Sequence, residues 1–108
     1  MNIGDIILIP FPFTDQKNIK VRPAVVITET IDKYKDVVVS AISSVIPFKI
    51  SEREILLNSN RVNKLRVDSV IKVDRLVTIK RNDKIADLGA LSPKELADFK
   101  AILSEIIR

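Results

Sequence analysis

Short apolar runs, separated by polar or proline-containing breaks, occupy most of the chain before residue 92. These runs are rich in Val and Ile, which is typical of β-strands. Many short strands at close spacing, followed by one helical segment, favour a mainly β fold: an antiparallel, strongly bent sheet or small barrel with a helix packed on it. The predicted strands cover residues 5–9, 22–28, 36–42, 51–57, 69–73 and 84–91.

The last segment of the chain has the pattern of an amphipathic helix. Ser92 is placed to cap its N-terminus, Pro93 suits the first helical position, and Glu95 completes a capping box. Apolar residues then recur at helical spacing on one face, which predicts a helix over residues 93–107 packed on the core. That face consists of Leu96, Phe99, Ile102, Leu103, Ile106 and Ile107.

Two of the predicted strands are apolar at consecutive positions, in segments 24–27 and 37–39. Such strands need cover on both faces. A chain this small can hardly supply both layers by itself, so the pattern favours a homodimer that buries one face of the sheet.

The length of 108 residues and a hydrophobic fraction of 46% indicate one domain, residues 1–108, with a single core. No apolar run approaches the roughly 20 residues that a membrane span needs. The first five residues also lack the charged start of a secretion signal. We therefore expect a cytoplasmic protein that does not use a membrane.

The chain contains neither cysteine nor histidine. The first absence excludes disulfides and thiolate zinc sites. The second excludes Ser-His and Cys-His triads, imidazole metal sites and imidazole acid–base pairs. An enzyme built from this sequence must therefore work with carboxylates, hydroxyls, Lys, Arg and one tyrosine.

The net charge of +4 is unevenly distributed along the chain. Residues 60–84 hold eight Lys or Arg against three Asp, a net charge of +5, and the remainder is close to neutral. A basic segment of this length suits a phosphate-bearing partner. On charge alone, a solvated strand surface explains it equally well.

The segment IPFPFTDQKNIKVRPAVV carries aromatic and cationic residues together in one long loop. Pro10 and Pro12 donate no backbone hydrogen bond, so we expect the sheet ladder to stop near Ile9. Arg22 precedes Pro23, which holds it extended where the loop re-enters the sheet. A cation fixed at a strand end is pre-organised to bind an anion. The simpler interpretation is that Arg22 covers the sheet edge.

Two further strand ends carry residues that could take part in chemistry. Ser43 and Ser44 close a buried-type strand, where they either bind a phosphate oxygen or merely cap the strand end. Further along, side-chain alternation places Lys72 and Asp74 side by side on one face. These two residues form either a surface ion pair or a catalytic pair.

The order of these elements resembles the PemK/MazF family of toxin endoribonucleases over nearly the whole chain. The most specific element is KVRPAVV, which follows a strand that begins with Gly-Asp. The other elements are weak alone, but their order and spacing together are strong. In chain order the matching elements are GDIILIPFPF, KVRPAVV, AISS, DSVIKVDRLVT and GALS before a helix.

This resemblance implies a small SH3-like antiparallel barrel of the CcdB/MazF type, with a C-terminal α-helix and a homodimeric assembly. It also implies metal-independent, sequence-selective cleavage of single-stranded mRNA to 2′,3′-cyclic phosphate and 5′-hydroxyl ends. No cofactor is implied, and a cognate antitoxin is the expected protein partner. The family's catalytic positions carry over to Arg22, Ser43, Lys72 and Asp74.

Seven further residues are predicted to bind RNA: Phe13, Thr14, Lys17, Lys20, Ser44, Arg75 and Thr78. The sequence also departs from the family pattern. Most members have threonine where this chain has Ser43, many have arginine where it has Lys72, and some use a histidine in the first loop. The hydroxyl and the charge are kept here, but the β-branched rotamer and the bidentate fork are lost.

Metal-free RNA cleavage needs a base for the 2′-hydroxyl, stabilisation of charge on the phosphorane, and an acid for the leaving 5′-oxygen. We assign the charge stabilisation and the leaving-group proton to Arg22, and phosphate positioning to Ser43. Because arginine is essentially never deprotonated in proteins, the base is assigned to Asp74, tuned by Lys72.

Two rival functions share this fold. One is a non-catalytic toxin that inhibits a protein such as DNA gyrase, and the other is a degenerate member that binds RNA without cutting it. Retention of Arg22, Ser43 and Asp74 favours cleavage, because a gyrase inhibitor has no need for all three.

Overall fold

The protein folds as an antiparallel sheet that carries one C-terminal helix, as the sequence predicts. The computed structural model describes residues 1–11 and 20–108. Its elements are β1 (Asp5–Phe11), β2 (Lys20–Glu29), β3 (Val37–Ser43), β4 (Glu54–Leu57), β5 (Ser69–Ile79), a short 3₁₀ turn (Arg81–Asp83), β6 (Ala86–Ala90) and α1 (Pro93–Ile106). Within these described ranges, no helix has the length and apolarity that crossing a membrane requires.

All six strands belong to one sheet, in the order β4-β5-β3-β2-β1-β6, and each neighbouring pair is antiparallel. The sheet curls into a half-barrel. Each predicted strand is present, but β4 and β6 are shorter than expected and β5 is longer. The predicted mainly β, barrel-like class is therefore confirmed.

The sheet buries one apolar cluster on each of its faces. The first lies on one face and draws its buried members from four strands, for example Ile9 of β1 and Val39 of β3. The second lies on the other face, where Val25 and Ile71 pack with Phe99 of the helix. Curvature thus lets a single chain cover both faces of its central strands.

This arrangement corrects the reasoning that led from consecutive apolar residues to a homodimer. Ala24, Val25 and Val26 are all fully buried within one chain, with alternate residues in opposite clusters. The apolar runs therefore need no second subunit to cover them. The homodimer itself stays a prediction that rests on the family resemblance.

Pro10 does not end the ladder near Ile9, where we expected it to stop, and Pro12 lies outside the described residues. β1 continues to Phe11, with Pro10 opposite Val21 in β2. It is tolerated because β6 pairs with β1 only as far as Leu8, so Pro10 lies where β1 has lost one neighbour. Pro23 has the same position in β2, since pairing with β3 begins one residue later.

A bend in β5 shapes the surface beside β3. Ser40 pairs with Leu76 while the next residue, Ala41, pairs with Lys72, so three residues of β5 are extra at this point. The buried Ser40 hydroxyl donates to the Val73 carbonyl at 2.9 Å, which satisfies a group that the ladder has released. Such bulges redirect the side chains that follow them.

The helix begins as predicted and ends one residue earlier. The Ser92 hydroxyl accepts from the Glu95 amide, and the Glu95 carboxylate accepts from the Ser92 amide, which forms the expected capping box. Phe99 is fully buried on the apolar face. Ile107, which we placed on that face, lies at the C-cap and is exposed.

Candidate active site

A concave surface forms where the ends of β1, β2 and β3 meet the bend of β5. We call it the Phe11 cavity; its volume is about 220 Å³. It brings together four residues that the sequence singled out, which come from separate segments of the chain. Its lining residues are Phe11, Arg22, Ala41, Ile42, Ser43, Val45, Lys72 and Arg75.

Arg22 lies in β2 opposite Ile9 of β1, so its backbone is held by the sheet. Its side chain is half-buried, and the guanidinium carbon lies 5.8 Å from the centroid of the Phe11 ring. A cation over an aromatic face is stabilised and oriented by the ring quadrupole. Phe11 is buried in the first apolar cluster, and its ring therefore orients the Arg22 guanidinium.

Ser43 is the last residue of β3 and is half-buried at the cavity wall. Its hydroxyl oxygen accepts a hydrogen bond from the Val45 amide at 3.1 Å. That bond fixes the oxygen and leaves the hydroxyl proton available to donate. The contact compensates in part for the β-branch that a threonine would have supplied.

Strand alternation predicted that Lys72 pairs with Asp74, and this prediction is wrong. Lys72 lies directly opposite Glu54 of β4, and its ammonium donates to the Glu54 carboxylate at 3.0 Å. The Ser51 amide donates to the other Glu54 oxygen at 2.8 Å. The Ser51 hydrogen bond first, and then Lys72, hold the pKa of Glu54 below its ordinary value of 4.5.

Asp74 lies within the extra residues of the β5 bend and is not among the residues that line the Phe11 cavity. Its carboxylate approaches the Arg53 guanidinium at 3.8 Å, a loose contact between two half-exposed side chains. The adjacent Arg75 does line the cavity. The bend thus places Asp74 next to two lining residues, Lys72 and Arg75, without bringing it into the lining itself.

The other predicted RNA-binding residues fall into three groups. Lys20 and Thr78 are exposed on β2 and β5 but line neither this cavity nor the groove described next. Ser44 is exposed and lines that groove. Phe13, Thr14 and Lys17 lie outside the described residues.

A second, larger concave surface adjoins the first, with a volume of about 330 Å³. We call it the Lys64 groove. It shares Arg22 and Ile42 with the Phe11 cavity, and two exposed cations, Lys64 and Arg66, stand at its edge. Apolar side chains, among them Val21 and Val67, form much of the remaining wall.

Sequence reasoning missed Glu54, Lys64, Arg66 and Phe48. Glu54 could not be paired with Lys72 before the register of β4 on β5 was known. Lys64 and Arg66 lie in the basic segment, and nothing in the sequence distinguished them from the other cations there. Phe48 had a local signal, because it is a large apolar residue in the polar and proline-containing break after β3; it is fully exposed.

Comparison with known proteins agrees with this architecture. The search of curated proteins returned no match. An endoribonuclease from a mycobacterial species, solved in complex with its cognate antitoxin, has a similar fold: the TM-score is 0.76 at 11% identity, over 99% of this chain and 94% of that one. The Mycobacterium tuberculosis toxin MazF-mt6 is also similar, with a TM-score of 0.69 at 18% identity over 95% of both chains.

These likenesses concern the fold, since the identities are low. The family evidence comes from the sequence: residues 2–107 match the model of the PemK-like, MazF-like toxin of type II toxin-antitoxin systems. The match spans nearly the full length and includes every residue of the Phe11 cavity. The chain therefore belongs to the family of PemK-like and MazF-like toxins of type II toxin-antitoxin systems.

Proposed function

We propose that this toxin is an endoribonuclease that cleaves single-stranded RNA without a metal ion, leaving 2′,3′-cyclic phosphate and 5′-hydroxyl ends. The observation that carries the proposal is the composition of the Phe11 cavity. Arg22, Lys72 and Arg75 present three cations, and Ser43 presents a hydroxyl, on one surface whose described lining contains no carboxylate. That is the chemistry a phosphodiester requires.

The reaction moves two protons. The 2′-hydroxyl loses its proton to a base, its oxygen bonds to the adjacent phosphorus, and the bond to the 5′-oxygen breaks as that oxygen gains a proton. Arg22 stabilises the charge on the phosphorane and donates a hydrogen bond to the leaving oxygen. Because arginine is essentially never deprotonated in proteins, the proton that this oxygen gains comes from solvent and not from Arg22, which corrects the sequence-based assignment. Ser43 donates to a phosphate oxygen.

Of the two carboxylates beside the cavity, Asp74 suits the role of base better than Glu54. Both Glu54 oxygens already accept hydrogen bonds, and its pKa is lowered, so it holds a proton poorly. Its role is to position Lys72. Asp74 is half-exposed, and its one ion pair with the described residues is the 3.8 Å contact with Arg53.

The loop after β3, residues 44–53, provides a surface for bases through Phe48. Its beginning is fixed at the cavity through Val45, and its end through Glu54, which holds Lys72. Between them Phe48 is fully exposed. Stacking of a base on an aromatic ring contributes about 1–3 kcal/mol, so Phe48→Ala should raise KM by about 5-fold or more with little change in kcat.

A tryptophan at position 48 tests the stacking directly, because the wild-type protein has none. Fluorescence of the Phe48→Trp variant should be quenched when RNA binds. Ile31→Trp is the matched control: Ile31 is equally exposed and precedes the opposite end of β3. Equal responses of both variants would contradict the stacking role.

The cleavage activity is tested by incubating the protein with a long RNA in EDTA. The expected products are discrete fragments that polynucleotide kinase labels without prior phosphatase treatment, because their 5′ ends are hydroxyls. Intact RNA together with inhibited DNA gyrase supercoiling would assign the fold to a protein inhibitor. Intact RNA that is nevertheless bound would indicate a non-cleaving RNA-binding protein.

We also propose a cognate antitoxin and a homodimer. The antitoxin proposal is supported by the family and by the mycobacterial relative solved with its own antitoxin. Light scattering during size exclusion tests the dimer, which should have twice the 12.2 kDa mass of one chain. A monomer mass at micromolar concentration would contradict it.

A further inference from the structure

The Lys64 groove adjoins the Phe11 cavity. Arg22 and Ile42 line both surfaces, so the Arg22 guanidinium is placed to contact a phosphate chain that passes from the cavity into the groove. Beyond Arg22 it meets Lys64 and Arg66, both exposed. The described lining of the groove contains no carboxylate.

The segment that carries the two cations, residues 58–68, is rigidly held. The Asn63 side chain is buried, with 1% of the residue exposed. Its Oδ1 accepts hydrogen bonds from the backbone amides of Asn60 and Leu65, each at 3.0 Å. Its amide nitrogen donates to the Asn58 carbonyl at 2.9 Å. A buried side chain that replaces backbone partners in this way fixes the course of the loop.

Close packing against β6 fixes the loop from the other side. The Ala90 amide donates to the Val62 carbonyl at 3.1 Å. A side chain at Gly89 would collide with the carbonyl of Val62 and would lie 2.8 Å from the carbonyl group of Asn63. The glycine therefore permits the loop backbone to lie directly on the strand.

The loop holds Lys64 in a strained conformation. Its φ angle is 56°, in the left-handed region that residues other than Gly, Asn and Asp seldom adopt. A glycine or asparagine at this position would fit the backbone better. A lysine there lowers stability while placing a cation in the lining of the groove that Arg22 also lines, and such strain is concentrated at functional sites.

We infer that the Lys64 groove binds the phosphodiester backbone of the nucleotides that flank the scissile bond on one side, through Lys64 and Arg66. The inference rests on the proposed function and adds a second subsite to it. Apolar walls from Val21 and Val67 accept sugar and base surfaces, and the two cations contact successive phosphates. An acidic peptide is the rival occupant, but the lining that the two surfaces share at Arg22 favours the chain that is being cleaved.

Salt dependence distinguishes this subsite from a diffuse basic surface. Each phosphate contact contributes a slope of about −0.7 in log K against log salt for single strands. The Lys64→Gln/Arg66→Gln double variant should therefore have a slope that is shallower by about 1.4. This corresponds to about 25-fold weaker binding than wild type at 0.1 M salt and to almost no difference from wild type at 1 M. The probe is a 12-nucleotide 2′-O-methyl RNA, which lacks a nucleophilic 2′-hydroxyl, followed by fluorescence anisotropy.

Two variants separate the effect from folding and from overall charge. Lys64→Asn removes the cation but suits the left-handed backbone, so it should melt no lower than wild type and still lower the slope by about 0.7. Arg61→Gln/Lys80→Gln removes the same number of charges from the basic segment at residues that do not line the groove. This control should keep the wild-type slope to within a few tenths.

The outcomes distinguish this inference from the proposed function. If wild type cleaves RNA and the groove variants bind with the wild-type slope, the subsite is wrong and the nuclease stands. A second outcome is that wild type cleaves no RNA while the groove variants show the expected shallower salt dependence. In that case the subsite stands as an RNA-binding site and the nuclease proposal fails. If the double variant keeps its RNA affinity but escapes an inhibitory antitoxin, the groove binds protein and the inference is wrong.

Discussion

Replacing Arg22 with alanine should slow RNA cleavage by about 100- to 1,000-fold while the protein stays folded. The substitution removes the guanidinium that lines both the Phe11 cavity and the Lys64 groove. It leaves the β2 backbone in place, because Arg22 is paired with Ile9 in the middle of the β1–β2 ladder. The change therefore acts on the reacting phosphate more than on the sheet.

The expected loss of transition-state stabilisation is clearly larger than the expected loss of folding stability, so the two effects can be resolved. Loss of one pre-organised group that stabilises the transition state typically raises the barrier by about 2.7–4 kcal/mol. The contact with Phe11, at 5.8 Å from the ring centroid, contributes about 0.5–1 kcal/mol to folding. In a domain of this size that loss lowers the melting temperature by about 2–8 °C, so both proteins are folded at 25 °C.

Single-turnover cleavage of end-labelled RNA in EDTA, with protein in excess, measures the chemical step without product release. Arg22→Lys should retain part of the rate, since lysine keeps the charge but not the planar fork. Arg61→Ala, a loss of charge outside both surfaces, should leave the rate unchanged. If Arg22→Ala, with a cooperative melt and a native far-UV spectrum, cleaved as fast as wild type, the assignment of Arg22 would be refuted.

Three other contacts lead to measurable expectations. Glu54→Gln breaks the 3.0 Å pair with Lys72 and should lower stability at neutral pH by about 0.5–1 kcal/mol. Since the pKa of Glu54 in the folded protein lies below 4.5, its contribution to stability is complete above pH 4.5 and is lost as the pH falls through the folded pKa. Urea-unfolding curves of variant and wild type should therefore converge in acid. A stability difference that stays constant at every pH would contradict this. Gly89→Ala should destabilise the protein by about 1–3 kcal/mol, because the added carbon meets the backbone at Asn63; an unchanged melting temperature would show that the loop yields. Ser92→Ala removes the helix cap and should lower stability by about 1 kcal/mol in thermal unfolding, without slowing cleavage at 25 °C.

Local patterns in the sequence predicted the elements well. The capping box at Ser92 and the 3.6-residue periodicity after it depend only on neighbours along the chain, and both are present in the structure. The Val- and Ile-rich runs likewise coincide with the strands. The family motifs identified Arg22, Ser43 and Lys72, which the fold gathers at one cavity together with Arg75.

Contacts between distant segments were beyond such patterns. The continuation of β1 past Pro10 depends on where β6 stops pairing, and the partner of Lys72 depends on the register of β4 against β5. The different partners of Lys72 and Asp74, which are Glu54 and Arg53, also come from a segment distant in the sequence.

The sequence by itself therefore determined the strands, the helix and the set of chemical groups, because backbone propensity and side-chain periodicity act over a few residues. The tertiary structure alone decided which of these groups meet. It placed Arg22 on Phe11, Glu54 on Lys72, and Lys64, with a left-handed backbone, in the lining of a groove that Arg22 shares. Those contacts join residues far apart in the chain, and they depend on sheet curvature and strand register, which pairing and packing set only when the whole chain has folded.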